Sequence, residues 1–211
     1  MAQPPENTTR QAFVGATARL LEAQGYHGTG LTQIVKESGA PRGSLYYYFP
    51  DGKEELAIAA IMQAAQAMAT HARAALARHA DPIVAITDFF DQIIGTTHSN
   101  NFCGGAPLAA VALETASSNS RLREACTSAY ALIHAPFAER LVAGGYPLER
   151  AHSLATLISA ALDGALILSR TQQSAEPVRR VRDEIRLLLE CARTPGRAES
   201  SFPPASLLHP P

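Results

Sequence analysis

Apolar residues recur at helical spacing along most of the chain, and no stretch alternates apolar and polar residues as a half-buried strand does. The long helical patterns cover residues 10–24, 53–79, 82–97, 120–141, 147–171 and 176–193. A shorter pattern begins at Pro107, and two more lie within residues 29–48. The sequence therefore predicts an all-α protein of about nine helices. Within the pattern 120–141, Pro136 is expected to kink or split the helix.

The two short patterns within residues 29–56 are joined by a turn that contains glycine. Thr29 is expected to cap the first short helix with its hydroxyl. Gly39 supplies the positive φ that ends this helix, and Pro41 suits the first turn of the next one. Two short helices joined in this way are typical of a helix-turn-helix that binds DNA.

The second short helix presents Arg42, Gly43 and Ser44 at its N-terminal end. Free backbone N–H groups at such an end suit phosphate. Arg42 can reach a guanine edge or a phosphate, and Gly43 permits a close approach of the backbone. The tyrosines 46–48 follow, and because successive helical residues point roughly 100° apart, at least one phenol is expected to be exposed.

In order and spacing, this segment resembles the TetR family of one-component transcriptional regulators. The matching residues are Gly25-Tyr26, Thr29, Thr32, Ile34, Gly39, Gly43, Leu45 to Phe49 and Lys53 to Leu56. The resemblance covers roughly the first quarter of the chain. The sequence PDGKEEL at residues 50–56 looks like the branch that includes multidrug- and flavonoid-responsive repressors.

The resemblance implies an N-terminal three-helix DNA-binding domain over residues 9–55 and a larger helical domain over residues 56–193, which binds a ligand and dimerises. The implied DNA contacts are Thr32, Arg42, Gly43, Ser44, Tyr46, Tyr47, Tyr48 and Lys53. The implied function is that of a homodimeric repressor, released from a palindromic operator by a small apolar or aromatic effector. No cofactor is implied.

Candidate ligand-binding groups are polar side chains on mostly apolar helices, because ligand pockets combine an apolar lining with a few polar groups. The candidates are His98, Tyr130, His134 and Asp163. Asp163 lies in an apolar stretch, where an unpaired carboxylate is costly to bury. It is therefore expected to have a partner, to cap a neighbouring helix end, or to face an aqueous pocket.

The helix 147–171 carries more apolar residues than one buried face requires. Together with the helix 176–193, it is expected to pack against the same pair of a second copy as a four-helix bundle. Packing within a single chain is the alternative.

Charge complicates the DNA-binding hypothesis. The net charge is −1, and residues 1–55 contain five Lys or Arg against six Asp or Glu, whereas DNA-binding domains are usually basic. DNA affinity must then come from a few well-placed cations and from a dimer that doubles the phosphate contacts. The near-neutral charge also supports an alternative hypothesis, a small-molecule sensor that acts through a protein partner without operator binding.

Several other classes lack support in the sequence. No segment reaches the roughly 18 uncharged apolar residues of a membrane span, and the N-terminus has no signal pattern, so the sequence predicts a cytoplasmic protein without a membrane partner. Residues 25–30 miss the dinucleotide-binding spacing, and neither an HExxH motif nor a nucleophile elbow occurs, so no catalysis is predicted.

Cysteine usage points to packed thiols rather than to a metal site. Cys103, Cys126 and Cys191 are widely spaced, without a pairing at metal-ligand distance in the sequence. Residues 194–211 are rich in proline and show no core pattern, so they are predicted to form a disordered tail.

Overall fold

The structure, a computed structural model, describes residues 6–99 and 107–193, with side chains for residues 8–97 and 108–193. All regular secondary structure in these residues is helical. The helices are α1 (Glu6–Gly28), α2 (Leu31–Ser38), α3 (Arg42–Tyr48), α4 (Lys53–Leu76), α5 (Pro82–Ser99), α6 (Pro107–Thr115), α7 (Ser120–Ala143), α8 (Leu148–Gln172) and α9 (Glu176–Arg193). The all-α prediction, with an N-terminal helix-turn-helix and a larger C-terminal helical domain, is confirmed. The predicted tail and Cys103 lie outside the described residues.

The junction after α1 depends on Gly25, whose φ of 72° and ψ of −176° interrupt the helical geometry. The Thr29 hydroxyl donates a hydrogen bond to the Gly25 carbonyl oxygen at 2.7 Å. The expectation that Thr29 caps α2 is therefore wrong. Gly30 occupies the N-cap position without a side-chain hydrogen bond. The hydroxyl instead satisfies a carbonyl group that the interruption at Gly25 leaves without a helical partner.

The helix α7 continues through Pro136, so of the two outcomes expected there the split does not occur. An interior proline removes one helical hydrogen bond and costs about 3 kcal/mol. Pro136 is buried beside Phe137 and Leu141, and their packing offsets this cost. At the other end, Asn119 caps α7 by accepting a hydrogen bond from the Leu122 amide at 2.9 Å.

The N-terminal apolar core is centred on Phe13, Leu45 and Phe49, which are almost fully buried. The rings of Phe13 and Phe49 meet edge to face, with their centroids 6.4 Å apart. The same cluster continues through α4 to Val111 of α6 and Leu122 of α7. We call residues 9–55 the head and residues 56–193 the body. Helices of the body therefore complete the apolar core of the three-helix head.

The C-terminal core unites α5, α7, α8 and α9. It includes Phe90, Phe137 and Leu154, all at most 2% exposed. The Asp81 carboxylate caps α5 by accepting a hydrogen bond from the Ile83 amide at 2.7 Å. This core and the N-terminal core share the long helices α4 and α7 as their common wall.

Among the described helices, α8 alone has the length and apolar composition that a membrane-spanning helix needs. It packs against α7 and α9 in the structure. Its side chains Leu157, Ile167 and Leu168 nevertheless remain 47%, 47% and 50% exposed. The apolar excess noted in the sequence of this helix is therefore an open face of the single chain.

Candidate nucleic-acid interface and candidate ligand cavity

The turn between α2 and α3 is built on Gly39, which adopts the left-handed conformation with φ 64°. The Ala40 amide donates to the Ser38 hydroxyl at 3.2 Å and tightens the same turn. Ile34 on α2 and Leu45 on α3 anchor the two short helices in the N-terminal core. The side of α2 that carries Thr32 and Lys36 and the side of α3 that carries Arg42 and Tyr46 are exposed.

All eight predicted DNA contacts keep access to solvent. Thr32, Arg42 and Gly43 are exposed, whereas Ser44, Tyr48 and Lys53 are half-buried. The phenols of Tyr46 and Tyr47 are 59% and 72% exposed. The prediction of at least one exposed phenol is confirmed.

Gly43 has open space beside its Cα atom in the part of the chain that the structure describes. A Cβ atom added at this position would meet nothing within 4 Å. The fold therefore does not require glycine here. A backbone that must lie close to another molecule gives a physical reason for it.

Lys53 is partly engaged inside the chain. Its ammonium group lies 4.2 Å from the ring centroid of Tyr26, a favourable cation–π arrangement. Burial lowers the pKa of Lys53, while the charge of Glu114 opposes that shift. The Lys53 side chain is therefore held by a contact within the chain, whereas the Arg42 side chain is exposed.

Acidic residues beside the helix-turn-helix are paired with a cation from the body. Asp51 and Glu54 accept the Arg121 guanidinium at 3.0 and 2.8 Å. Glu54 also accepts a hydrogen bond from the Asn119 side-chain amide at 2.5 Å. The N-terminus of α7 therefore neutralises acidic groups that the sequence count assigned to the head.

The basic side chains on α2 and α3 have fewer acidic partners than the acidic side chains have basic ones. On α2, Glu37 forms an ion pair with Arg19 of α1 at 3.3 Å. Within the described part of the chain, Lys36 and Arg42 form no ion pair. The local balance at this surface is consequently more positive than the composition of residues 1–55 suggests.

A second polar contact joins the head to α6. The Glu114 carboxylate accepts a hydrogen bond from the His27 amide at 2.7 Å. It fills the space beside Gly25, since a Cβ atom added there would lie 1.9 Å from Glu114 Oε1. Glycine at this position therefore serves both the positive φ and the close approach of α6.

The body contains a cavity of about 420 Å³ between α1, α4, α5, α6, α7 and α8. Its lining is mainly Ala, Leu, Ile and Phe side chains. The polar members of the lining are Glu22, His71, Tyr130, Ser159 and Asp163. This size and composition fall within the usual range of small-molecule sites.

Tyr130 and Asp163 meet at the cavity wall, where the phenol donates to Asp163 Oδ2 at 3.0 Å. Burial raises the pKa of Asp163, against opposing effects from the Tyr130 hydrogen bond and the charge of His134. Burial also raises the pKa of Tyr130, which therefore stays protonated and donates. Of the alternatives expected for Asp163, the structure combines a partner with a place in a cavity wall.

A second cavity of about 530 Å³ lies on the other side of this pair and is lined by Tyr130, His134, Thr156 and Asp163 together with alanines and Leu113. Leu113 is 82% exposed, so this space is open to solvent. His134 lines the second cavity and is absent from the lining of the first. The side chain of His98 lies outside the described residues.

Sequence reasoning missed three polar members of the first cavity, namely Glu22, His71 and Ser159. They lie on α1, α4 and α8, which are far apart in the sequence. Only Ser159 had a local signal, since it precedes Asp163 by four residues and so shares its helix face.

The thiols divide into two environments. Cys126 is buried, and burial raises the pKa of its thiol, as expected of a packed cysteine. Cys191 is exposed on α9, so the expectation of a packed thiol is wrong there. No group of three or more His, Cys, Asp or Glu in the described residues is arranged to hold a metal ion.

Two family models match the chain. One, described as "Bacterial regulatory proteins, tetR family", matches residues 13–60. The other, described as "Transcriptional regulator LmrA/YxaF-like, C-terminal domain", matches residues 82–184. The two matches divide between the helix-turn-helix end of the chain and the body with the cavity.

Relatives match over nearly the whole chain. The HTH-type transcriptional regulator YxaF of Bacillus subtilis is 36% identical over 181 residues, which cover 86% of this chain and 95% of that protein. The HTH-type transcriptional regulator LmrA of the same organism is 36% identical over 170 residues, or 81% of this chain and 90% of its own length.

Solved structures show the same fold. A TetR transcriptional regulator from Legionella pneumophila superposes with a TM-score of 0.74 at 22% identity, over 89% of this chain and 99% of that one. A TetR transcriptional regulator from Chloroflexus aurantiacus gives 0.70 at 26% identity, over 88% and 96%. On the family matches, the relatives and the fold, the chain belongs to the TetR family of transcriptional regulators.

Proposed function

We propose that the protein is a homodimeric repressor that leaves a palindromic DNA operator when a small apolar or aromatic effector enters the body. The DNA-binding part of the proposal rests on the exposed side chains of α3. Its first residue, Arg42, is exposed and forms no ion pair with the residues that the structure describes, and Tyr46 and Tyr47 extend large exposed phenols from the same helix. Exposed aromatic groups beside an unpaired arginine suit a nucleic-acid surface.

In this proposal α3 enters the major groove, where Arg42 contacts a guanine edge or a phosphate. Gly43 lets the backbone approach the duplex. The hydroxyl-bearing side chains Thr32, Ser44, Tyr46, Tyr47 and Tyr48 and the ammonium of Lys53 bind phosphates on either side of the groove. Phosphate contacts fix the position of the helix, and base contacts select the sequence.

The dimer part rests on the open face of α8 and on Leu187 of α9, which is 47% exposed. A second copy that covers these leucines and isoleucines would bury them in a four-helix bundle. Residues 9–55 then act as the DNA-binding domain and residues 56–193 as the effector and dimer domain. DNA binding would place the protein in the cytoplasm, and no catalytic step is assigned to it.

The proposed release from DNA by an effector rests on three residues that belong both to the cavity lining and to the N-terminal core. Leu21 of α1, Ile61 of α4 and Val111 of α6 line the cavity and also belong to the N-terminal core. An effector that fits only one arrangement of these helices would favour one orientation of the head. It can do so only to the extent that it binds one state more tightly than the other.

The DNA-binding proposal is tested by selection from random duplexes with the full chain. The wild-type protein is expected to enrich a two-fold symmetric sequence, whereas Arg42→Ala and Tyr46→Ala enrich none while keeping their thermal unfolding midpoint. Arg150→Ala removes an exposed arginine from the body and is the matched control. If the wild type enriches no sequence, the operator-binding proposal fails, and a sensor that acts through a protein partner becomes the better account.

A further inference from the structure

The first cavity, of about 420 Å³, has acidic groups but no basic side chain other than a histidine in its lining. Its lining includes two carboxylates, Glu22 and Asp163, and no Lys or Arg. Glu22 is exposed on α1, whereas Asp163 is half-buried on α8. Because charges act more strongly where water is excluded, the inner carboxylate dominates the field in the apolar part of the cavity.

Asp163 lacks a cationic partner in the described part of the chain. One of its oxygens accepts a hydrogen bond from the Tyr130 hydroxyl, with 3.0 Å between the two oxygen atoms. No described Lys, Arg or His side-chain nitrogen lies within 4.0 Å of its carboxylate. The nearby His134 does not supply a full positive charge, since burial lowers the pKa of its imidazole. A half-buried carboxylate with one neutral donor is incompletely compensated.

A second acceptor lies one helical turn from Asp163. The Ser159 side chain is 4% exposed and lines the same cavity. Its hydroxyl oxygen has no hydrogen-bond partner in the structure. A buried hydroxyl without a partner is costly, so a ligand group that bonds to it gains the energy that the fold leaves unused.

We propose that the effector of this cavity is a lipophilic amine. Its apolar body lies among the leucine, isoleucine and phenylalanine side chains, and its protonated nitrogen donates to the Asp163 carboxylate. The Ser159 hydroxyl, whose oxygen is buried in the structure, accepts a second hydrogen bond after rotating towards the cavity. This inference rests on the proposed effector role of the cavity and narrows the effector to a cationic class. An anionic ligand would face the two carboxylates without a compensating Lys or Arg, and a neutral one would leave Asp163 uncompensated.

The proposal is tested by isothermal titration calorimetry with three small probes that each carry two phenyl rings, of which the amine and the ether share one shape. Dibenzylamine carries the cation, dibenzyl ether replaces the nitrogen with a neutral oxygen, and diphenylacetate carries a negative charge. The wild-type chain is expected to bind the amine at least about tenfold more tightly than the ether, and the acid most weakly. A hydrogen bond to a charged group contributes enough for about a tenfold to hundredfold difference in affinity.

The variant Asp163→Asn keeps the size of the side chain and an oxygen for the Tyr130 hydroxyl. It is expected to lose about tenfold or more of the amine affinity and to bind the ether within about threefold of wild type. Glu124→Gln removes an exposed carboxylate from α7 and is the charge-matched control. Equal affinity for amine and ether in the wild type, unchanged amine affinity in Asp163→Asn, or no binding of any probe would overturn the proposal. If Asp163→Asn does not fold, the wild-type comparison decides.

A second readout separates this inference from the repressor proposal. Each probe is added to the complex of the wild-type protein with its selected duplex. Release by the amine alone supports both proposals. Release by the ether or the acid alone overturns the amine class and leaves the repressor standing, whereas tight amine binding without any change in DNA affinity overturns the release mechanism and leaves the amine site standing.

Discussion

The helix-turn-helix surface and the cavity in the body differ in which charged side chains have an oppositely charged partner. At the first, the acidic Asp51 and Glu54 are paired with Arg121, while Arg42 has no ion-pair partner within the described ranges. In the second, Asp163 has no cationic partner among the described residues and no Lys or Arg shares its lining. A chain with a net charge of −1 can thus present one surface suited to an anion and one cavity suited to a cation. What matters is which charges are paired, and the total says little.

One contact between the N-terminal helices and α6 is the close approach of Glu114 to Gly25. Gly25→Ala places a Cβ atom against the Glu114 carboxylate and holds alanine at φ 72°. We expect a loss of about 1–3 kcal/mol in the free energy of unfolding, because the left-handed conformation and the clash both disfavour alanine. Urea denaturation measures this loss. Wild-type stability in Gly25→Ala would show that α6 does not hold the head through this contact.

Gly43→Ala provides the opposite case, because its Cβ atom has open space. Alanine is the better helix former, so the free energy of unfolding should stay equal or rise slightly. Operator affinity should fall by roughly tenfold if the backbone at Gly43 lies against DNA, comparable to the loss of one base contact. The check is fluorescence anisotropy with the selected duplex. Unchanged affinity would remove Gly43 from the interface.

The pairing of acids beside the helix-turn-helix is tested by Arg121→Ala, which frees Asp51 and Glu54 without touching α3. Operator affinity should fall severalfold at low salt, and the difference should shrink as salt screens the charges. Arg123→Ala removes a cation from the same helix, away from these acids, and should bind DNA as the wild type does. Equal losses in the two variants would mean that total charge, and not pairing, sets the affinity.

The unpaired acid in the cavity predicts a smaller, pH-dependent effect. Burial holds the pKa of Asp163 above its unfolded value of about 3.9, so the folded chain binds this proton more tightly than the unfolded chain. The wild type therefore loses stability as pH rises through the interval between the two pKa values. Asp163→Asn lacks this loss and should gain stability relative to wild type from about pH 4 upward. A difference between the two proteins that does not change with pH would contradict the burial of this carboxylate.

The helix-turn-helix could be predicted from the sequence because its signals are local. Gly39, Pro41 and the aromatic residues lie within a few positions of one another, and each acts on its own stretch of backbone. The expectation for Thr29 was wrong, because its hydroxyl bonds to the Gly25 carbonyl oxygen four residues earlier and does not cap α2. At Pro136, where a kink or a split was expected, the split does not occur, and the buried proline lies within a continuous α7.

The cavity was harder to predict, because six helices contribute to its wall. Tyr130 and Asp163, which the sequence predicts as ligand-binding residues because a polar side chain in an apolar helix is conspicuous, both lie in its lining. The place of Glu22 at the cavity depends on how α1 packs, which local spacing does not show. The pairing of Asp51 with Arg121 likewise joins residues 70 positions apart and has no signal in local spacing.

The dependence of operator affinity on salt tests most directly the claim that a few free cations on two copies of the head bind DNA. The wild-type dimer is expected to show a steep linear fall of log affinity with log salt concentration, about 0.9 for each phosphate neutralised. Arg42→Ala, present twice in the dimer, should reduce the magnitude of that slope by about 2. Arg150→Ala should leave the slope unchanged. A flat response in the wild type, or the same slope in Arg42→Ala, would contradict the account.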